Sequence, residues 1–153
     1  MMRTLLLALT LSFLSLGFLA TEVRAAGNSN PLIRFCHGAG GDFWAPENET
    51  GDNDYPLCLF GQAAIGADAL LKFKTKNESS QSIDAYKSGA YSRSSVDEVC
   101  ADAGSDSVQG TDSNGQTFTI CNFRDGSLIE ANTLIDGPGS SETRKLDQAL
   151  SSN

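Results

Sequence analysis

Apolar residues in this chain come in short clusters separated by polar, glycine-rich turns. The first cluster, residues 5–20, is interrupted by Thr10, Ser12 and Ser15. Arg3 precedes it and Val23-Arg24-Ala25 follows. A positive end, an apolar core and small or aliphatic residues at the cut predict a secretory signal over residues 1–25. The core is short for a bilayer span, which takes about 20 residues, so no stable membrane span is expected after cleavage.

Beyond the signal, the pattern repeats. Phe35-Cys36 is followed by glycines, then Cys58-Leu59-Phe60, then an apolar amphipathic stretch. Val99-Cys100 is followed by Ala103-Gly104, then Cys121-Asn122-Phe123, then another such stretch. The two Cys-to-Cys separations differ by one residue. Aligning Cys36 with Cys100 also aligns Gly40 with Gly104, Trp44 with Val108 and Gly51 with Gly115. After a one-residue shift, Cys58 aligns with Cys121, Phe60 with Phe123, Ile65 with Leu128 and Leu71 with Leu134. Two units are expected, at 30–74 and 94–136. Between them, 75–93 is a polar linker rich in Ser and Lys, pinned to the surface by Ile83, Tyr86 and Tyr91. Residues 137–153 open with Gly-Pro-Gly-Ser-Ser and predict a mobile C-terminal tail, with a short helix feasible over 144–150.

Each unit begins with a helix-start signal. Asn30-Pro31 supplies an N-cap and a proline at the first helical position. Ser95-Val96-Asp97-Glu98 has the form of a capping box. Both helices should stop at glycine, at Gly38, Gly40 and Gly41 in one and at Gly104 in the other. Short β runs follow at 43–45 and 107–109, with return strands at 55–60 and 117–123. Asn114-Gly115 marks a hairpin. In 117–123, Phe118 and Ile120 should face one way and Thr119, Cys121 and Phe123 the other. The cysteine–phenylalanine face should receive the opening helix. Residues 63–73 read as a second helix, apolar at Ile65, Ala69, Leu70 and Phe73. Residues 128–135 are shorter and suit either helix or strand. The fold class is therefore α+β: two pseudo-symmetric helix–β-hairpin–helix units, each stapled by one disulfide.

The four cysteines allow three pairings. The repeat selects Cys36–Cys58 and Cys100–Cys121, and export to an oxidising compartment favours their formation. A unit this small buries too little apolar surface to be secure unaided. Net charge is −8 for the whole chain. Loss of Arg3, Glu22 and Arg24 with the signal leaves 9 basic against 18 acidic residues, or −9. Such acidity disfavours nucleic acid and anionic lipid as partners and suits a cationic partner or none.

The arrangement Asn30-Pro31, Cys36, Gly40-Gly41 and Cys58-Leu59-Phe60 resembles a small exported bacterial domain known as domain of unknown function 333. Some of its members carry a hemolysin label. Cys121-Asn122-Phe123-Arg124-Asp125-Gly126-Ser127, with Glu130 following, resembles the later part of the same pattern. The first unit has Gly61-Gln62-Ala63 where that pattern has Asp-Gly-Ser. The second lacks the Asn-Pro opening. The family's further cysteines are absent from both. The resemblance implies export in a bacterium, to periplasm or medium, and one disulfide per unit. It brings no catalytic residues.

Chemistry is sparse in the sequence. His37 is the only histidine and adjoins Cys36. Neighbours on a helix do not face each other, so a Cys–His pair is not expected. Neither a Gly-x-Ser-x-Gly elbow nor a phosphate-cradling loop is present. The cysteine spacing matches no tight zinc pattern, and no calcium loop of spaced carboxylates closes on a glutamate. Neither metal nor cofactor is expected. The acidic hairpin tips, with Glu47, Glu49, Asp52, Asp54, Asp112 and Asn114, are the expected partner-contact loops. The expected function is an exported, non-catalytic module that binds or modulates a protein or small ligand. The alternatives are a membrane-active, hemolysin-like protein, for which only residues 63–73 would serve, and a secreted peptidase-inhibitor-like protein.

Overall fold

A computed structural model describes residues 30–48, 50–51 and 55–151. The expected signal and Glu49, Asp52 and Asp54 lie outside the described residues. The chain folds as a mixed α+β structure. In order come α1 (Pro31–Gly38), β1 (Asp42–Trp44), β2 (Leu57–Phe60), β3 (Ala63–Gly66), α2 (Ala67–Lys76) and α3 (Gln81–Ser88). Then follow α4 (Val99–Asp102), β4 (Asp106–Thr111), β5 (Thr117–Asn122), β6 (Leu128–Glu130), α5 (Ala131–Asp136) and α6 (Arg144–Ser151). The strands form one antiparallel sheet in the order β1-β2-β3-β6-β5-β4, joined at its centre by Ile65 opposite Ile129.

Both disulfides form as the repeat predicts. Cys36 on α1 bonds Cys58 on β2, and Cys100 on α4 bonds Cys121 on β5, with Cα–Cα distances of 5.3 and 5.0 Å. Each therefore staples a helix to a strand. Asn30 caps α1, its side-chain oxygen accepting the Leu32 N–H at 3.0 Å. α1 and α4 close alike. The Cys36 carbonyl accepts the Gly41 N–H and the Cys100 carbonyl accepts the Ser105 N–H, both at 2.9 Å. That wrap needs a left-handed residue just before the donor, and Gly40 (φ 87°) and Gly104 (φ 74°) supply it.

Alternation along the strands sorts side chains between two sheet faces. Cys58, Phe60, Ile65, Cys121, Phe123 and Ile129 face the helices and build the main core. Leu57, Ala64, Ile120 and Leu128 face the other way, where Trp44, Tyr55, Leu59 and Val108 partly cover them. The predicted split along 117–123 is the observed one. All six helices send at least one side chain into the main core.

Four expectations need correction. Residues 63–73 are not one helix, since 63–66 form the central strand β3 and α2 starts at Ala67. A strand enclosed on both sides is continuously apolar, so it lacks the alternation that distinguishes it from a buried helix. Each hairpin is thereby extended into a three-stranded run. The supposed linker contains α3, capped by Ser80 and burying Ile83 and Tyr86 completely or nearly so. The helix expected over 144–150 forms as α6, but its segment is docked rather than a mobile tail: Leu146 is fully buried, and Thr143 Oγ1 donates to the Gly137 carbonyl at 2.7 Å. The capping box does not form: Ser95 donates its hydroxyl to the Glu98 carboxylate, and α4 has only four residues.

The one-residue shift between the units also reverts earlier than expected. The turn between Phe60 and Ala63 has two residues, Gly61 and Gln62, while Phe123 pairs back to Ser127 across three. Ile65 consequently lies opposite Ile129 rather than matching Leu128. Leu70, rather than Leu71, is the fully buried counterpart of Leu134.

Candidate functional site

The chain leaving β1 does not turn straight back into β2. It crosses the second face of the sheet and meets β4, the opposite edge. Glu47 N–H donates to the Thr111 carbonyl at 2.9 Å, and Thr111 N–H donates to the Glu47 carbonyl at 2.8 Å. Pro46 is buried against Gly110, where a Cβ would stand 2.9 Å from the proline ring. Only glycine admits so close an approach. This bridge ties the two sheet edges together. Trp44 of β1 consequently meets Phe118 of β5 edge to face, with centroids 4.7 Å apart at 81°.

Beside this pair lies a cleft of about 660 Å³. Trp44, Leu59, Gly61 and Gln62 come from one half of the sheet, and Asp112, Gln116, Phe118 and Glu130 from the other. Asn132, Asp136 and Glu142 complete the rim. The lining thus combines two aromatic rings, three amides and four carboxylates. Among the described residues, no lysine, arginine or histidine lines it. No three His, Cys, Asp or Glu side chains among the described residues are grouped to hold a metal ion.

The carboxylates differ in their surroundings. Asp112 organises the β4–β5 turn, accepting the N–H groups of Gln116 and Asn114 at 2.8 Å each. These bonds, the one to Gln116 foremost, hold its carboxyl below the usual range. Glu142 is also held low, first by the Ser141 hydroxyl. Asp136 is pushed up by burial and then by the nearby charge of Glu142.

Glu130 is 3 % exposed. It caps α5: one oxygen accepts the Thr133 N–H at 2.9 Å and the Thr133 hydroxyl at 3.2 Å, and the other accepts the Asn132 amide at 2.7 Å. Thr133 Oγ1 in turn accepts the Ala64 N–H at 2.9 Å, linking α5 to the middle of the sheet. Burial raises the Glu130 carboxyl above its ordinary value despite these bonds. A carboxyl raised in the native state binds protons more readily folded than unfolded, so stability falls as pH rises through that window. Glu130→Gln, which keeps an acceptor for Thr133 and removes the buried charge, is expected to be more stable than wild type at pH 7. Near pH 3, where both carry a neutral group, the two should converge. Thermal melts across that pH range check the sign.

The structure brings together part of the predicted contact set. Glu47 is bonded to the strand residue that precedes Asp112, and Asn114 sits exposed on the same turn. Asp112 lines the cleft, whereas Glu47 and Asn114 do not. Glu130, Asp136, Glu142 and the amides were not anticipated as site residues. Asp136 immediately precedes, and Glu142 lies within, the segment whose sequence reads as a tail, and Glu130 gains its position from a helix cap. His37 lies outside the cleft, its Nδ1 3.4 Å from the Asp42 carboxylate with both side chains largely exposed; a contact of that kind contributes little.

No helix among the described residues is long and apolar enough to cross a membrane. No family model matches the chain, and no curated protein or solved structure matches it.

Proposed function

We propose that this chain is an exported, non-catalytic binding module, made of two related disulfide-stapled units, that engages a partner protein through the cleft. The observation carrying the proposal is that the cleft is built jointly. Neither half of the sheet encloses it without the other, and the Glu47–Thr111 bridge and the Trp44–Phe118 contact fix the halves together.

Several features support the details. Paired cysteines suit an oxidising compartment, in keeping with the predicted signal. The matched helix closures at Cys36 and Cys100 and the strand order about β3 and β6 favour two copies of one module. The resemblance to domain of unknown function 333 belongs to the same proposal. The non-catalytic reading rests on how candidate groups are already engaged. A general acid must hold a proton aimed at substrate, whereas both Glu130 oxygens are engaged within α5, one by the Thr133 N–H and the other by the Asn132 side-chain amide. All four cysteines are in disulfides. The membrane-active alternative gains no support, because Ile65, Ala69, Leu70 and Phe73 are buried in the main core.

A photo-reactive residue at Gln62, exposed at the cleft, tests the proposal in the exported setting. Cross-linking to a discrete partner from position 62, and not from Lys74 on α2, is expected. Equal products from both positions would contradict it.

A further inference from the structure

From the joint lining of the cleft, we infer that its occupant is an extended protein segment presenting a lysine or arginine side chain. This inference rests on the cleft being the binding site and names the class of partner.

Three observations lead to it. Trp44, Phe118 and Leu59 give the cleft an apolar wall, and Trp44 and Phe118 are only partly buried. Such a wall suits the aliphatic stem of a basic side chain, and an aromatic face attracts its cationic end. Asp112, Asp136 and Glu142 surround that wall with negative charge, and no cationic side chain among the lining residues offsets it. Finally, Gln62, Gln116 and Asn132 are exposed around the rim. Each amide carries donors and an acceptor, which suits the peptide groups on either side of a basic residue. A cleft of about 660 Å³ leaves room for those flanking groups as well as the side chain. A free amine would leave the amides unused.

Trp44 is the only tryptophan in the chain, so its fluorescence reports on the cleft directly. The probe is a blocked five-residue peptide with a central arginine between glycines. Its controls are the same peptide with citrulline, which keeps the shape without the charge, and spermidine. A saturable change with the arginine peptide is expected, at least tenfold weaker with citrulline and with spermidine. The exposed pair Asp136→Asn and Glu142→Gln should weaken the arginine peptide about tenfold. Asp97→Asn with Glu98→Gln, an acidic pair outside the cleft, should leave it unchanged. Equal binding of the citrulline peptide, tighter binding of spermidine, or no response to the arginine peptide would overturn the inference. If cross-linking from position 62 still succeeds then, the cleft remains the site and the cationic class alone fails.

Discussion

Replacing Cys100 and Cys121 together by alanine is expected to lower the unfolding free energy by about 3 kcal/mol, on the loop-entropy argument for a closed segment of this length. The same loss is expected for Cys36 with Cys58. The two losses should nevertheless differ in their local consequences. α1 has Asn30 as cap and Pro31 at its first position, so it keeps local reasons to form. α4 has four residues and no side-chain cap bond, and its attachment depends on the disulfide and on Val99 in the core. Amide exchange should therefore show α4 released in the Cys100/Cys121 variant, with α1 largely retained in the Cys36/Cys58 variant. Removing both bridges costs about 6 kcal/mol, comparable with the whole stability of an ordinary domain. The chain without cysteines should be unfolded at room temperature. Urea titrations of the three variants measure the losses, and a decrease below about 1 kcal/mol for either pair would show that the bridges are incidental to the fold.

The other large effect is expected at the C-terminal end. Leu146→Ala should cost about 2–5 kcal/mol, the range for emptying a filled leucine site in a core. Leu146 is fully buried, and Ala149 and Leu150 pack beside it. Tyr86 donates its hydroxyl to Asp147 at 2.6 Å, tying α6 to α3. Truncation before Arg144 removes all of these contacts and should be more damaging than the point substitution. Lys145→Ala, at an exposed position on the same helix, should change stability by no more than about 0.5 kcal/mol. Denaturation of Leu146→Ala and Lys145→Ala side by side separates loss of packing from loss of helix propensity. A neutral Leu146→Ala would mean that α6 does not belong to the core.

These expectations show where the sequence was informative. Asn30-Pro31 marked a helix start because capping is local, and the side chain and the amide it accepts lie within three residues. The faces of β5 were legible because Phe118, Ile120 and Cys121 alternate cleanly. The disulfides followed from matching the two cysteine pairs. Failures came where distant partners decide. Residues 63–66 become a strand because β2 and β6 flank them, and neither neighbour can be read from a four-residue apolar run. α3 and α6 have polar compositions overall, so the small apolar stripes formed by Ile83 and Tyr86, and by Leu146 and Leu150, understate how deeply they dock. Ser95 and Glu98 have the spacing of a capping box, but their side chains bond to each other instead.

The candidate site was less legible than the fold. The acidic turns drew attention to Asp112 and Glu47 as separate hairpin tips. Their approach depends on the crossing of the β1–β2 connection, which Gly110 permits by lacking a Cβ. Trp44 was not among the residues expected at the contact loops. Its place at the cleft follows from the contact with Phe118, a residue on a strand that sequence order puts far away.

Peptide mapping of the protein under non-reducing conditions tests the central claim most directly, because the attachment of α1 and α4 to the sheet, and the cleft the sheet carries, depend on the pairing. Recovery of the Cys36–Cys58 and Cys100–Cys121 peptides with no free thiol is the predicted result. A bridge between units, Cys36 to Cys100 or Cys58 to Cys121, would contradict the arrangement of helices on the sheet and the cleft built from it.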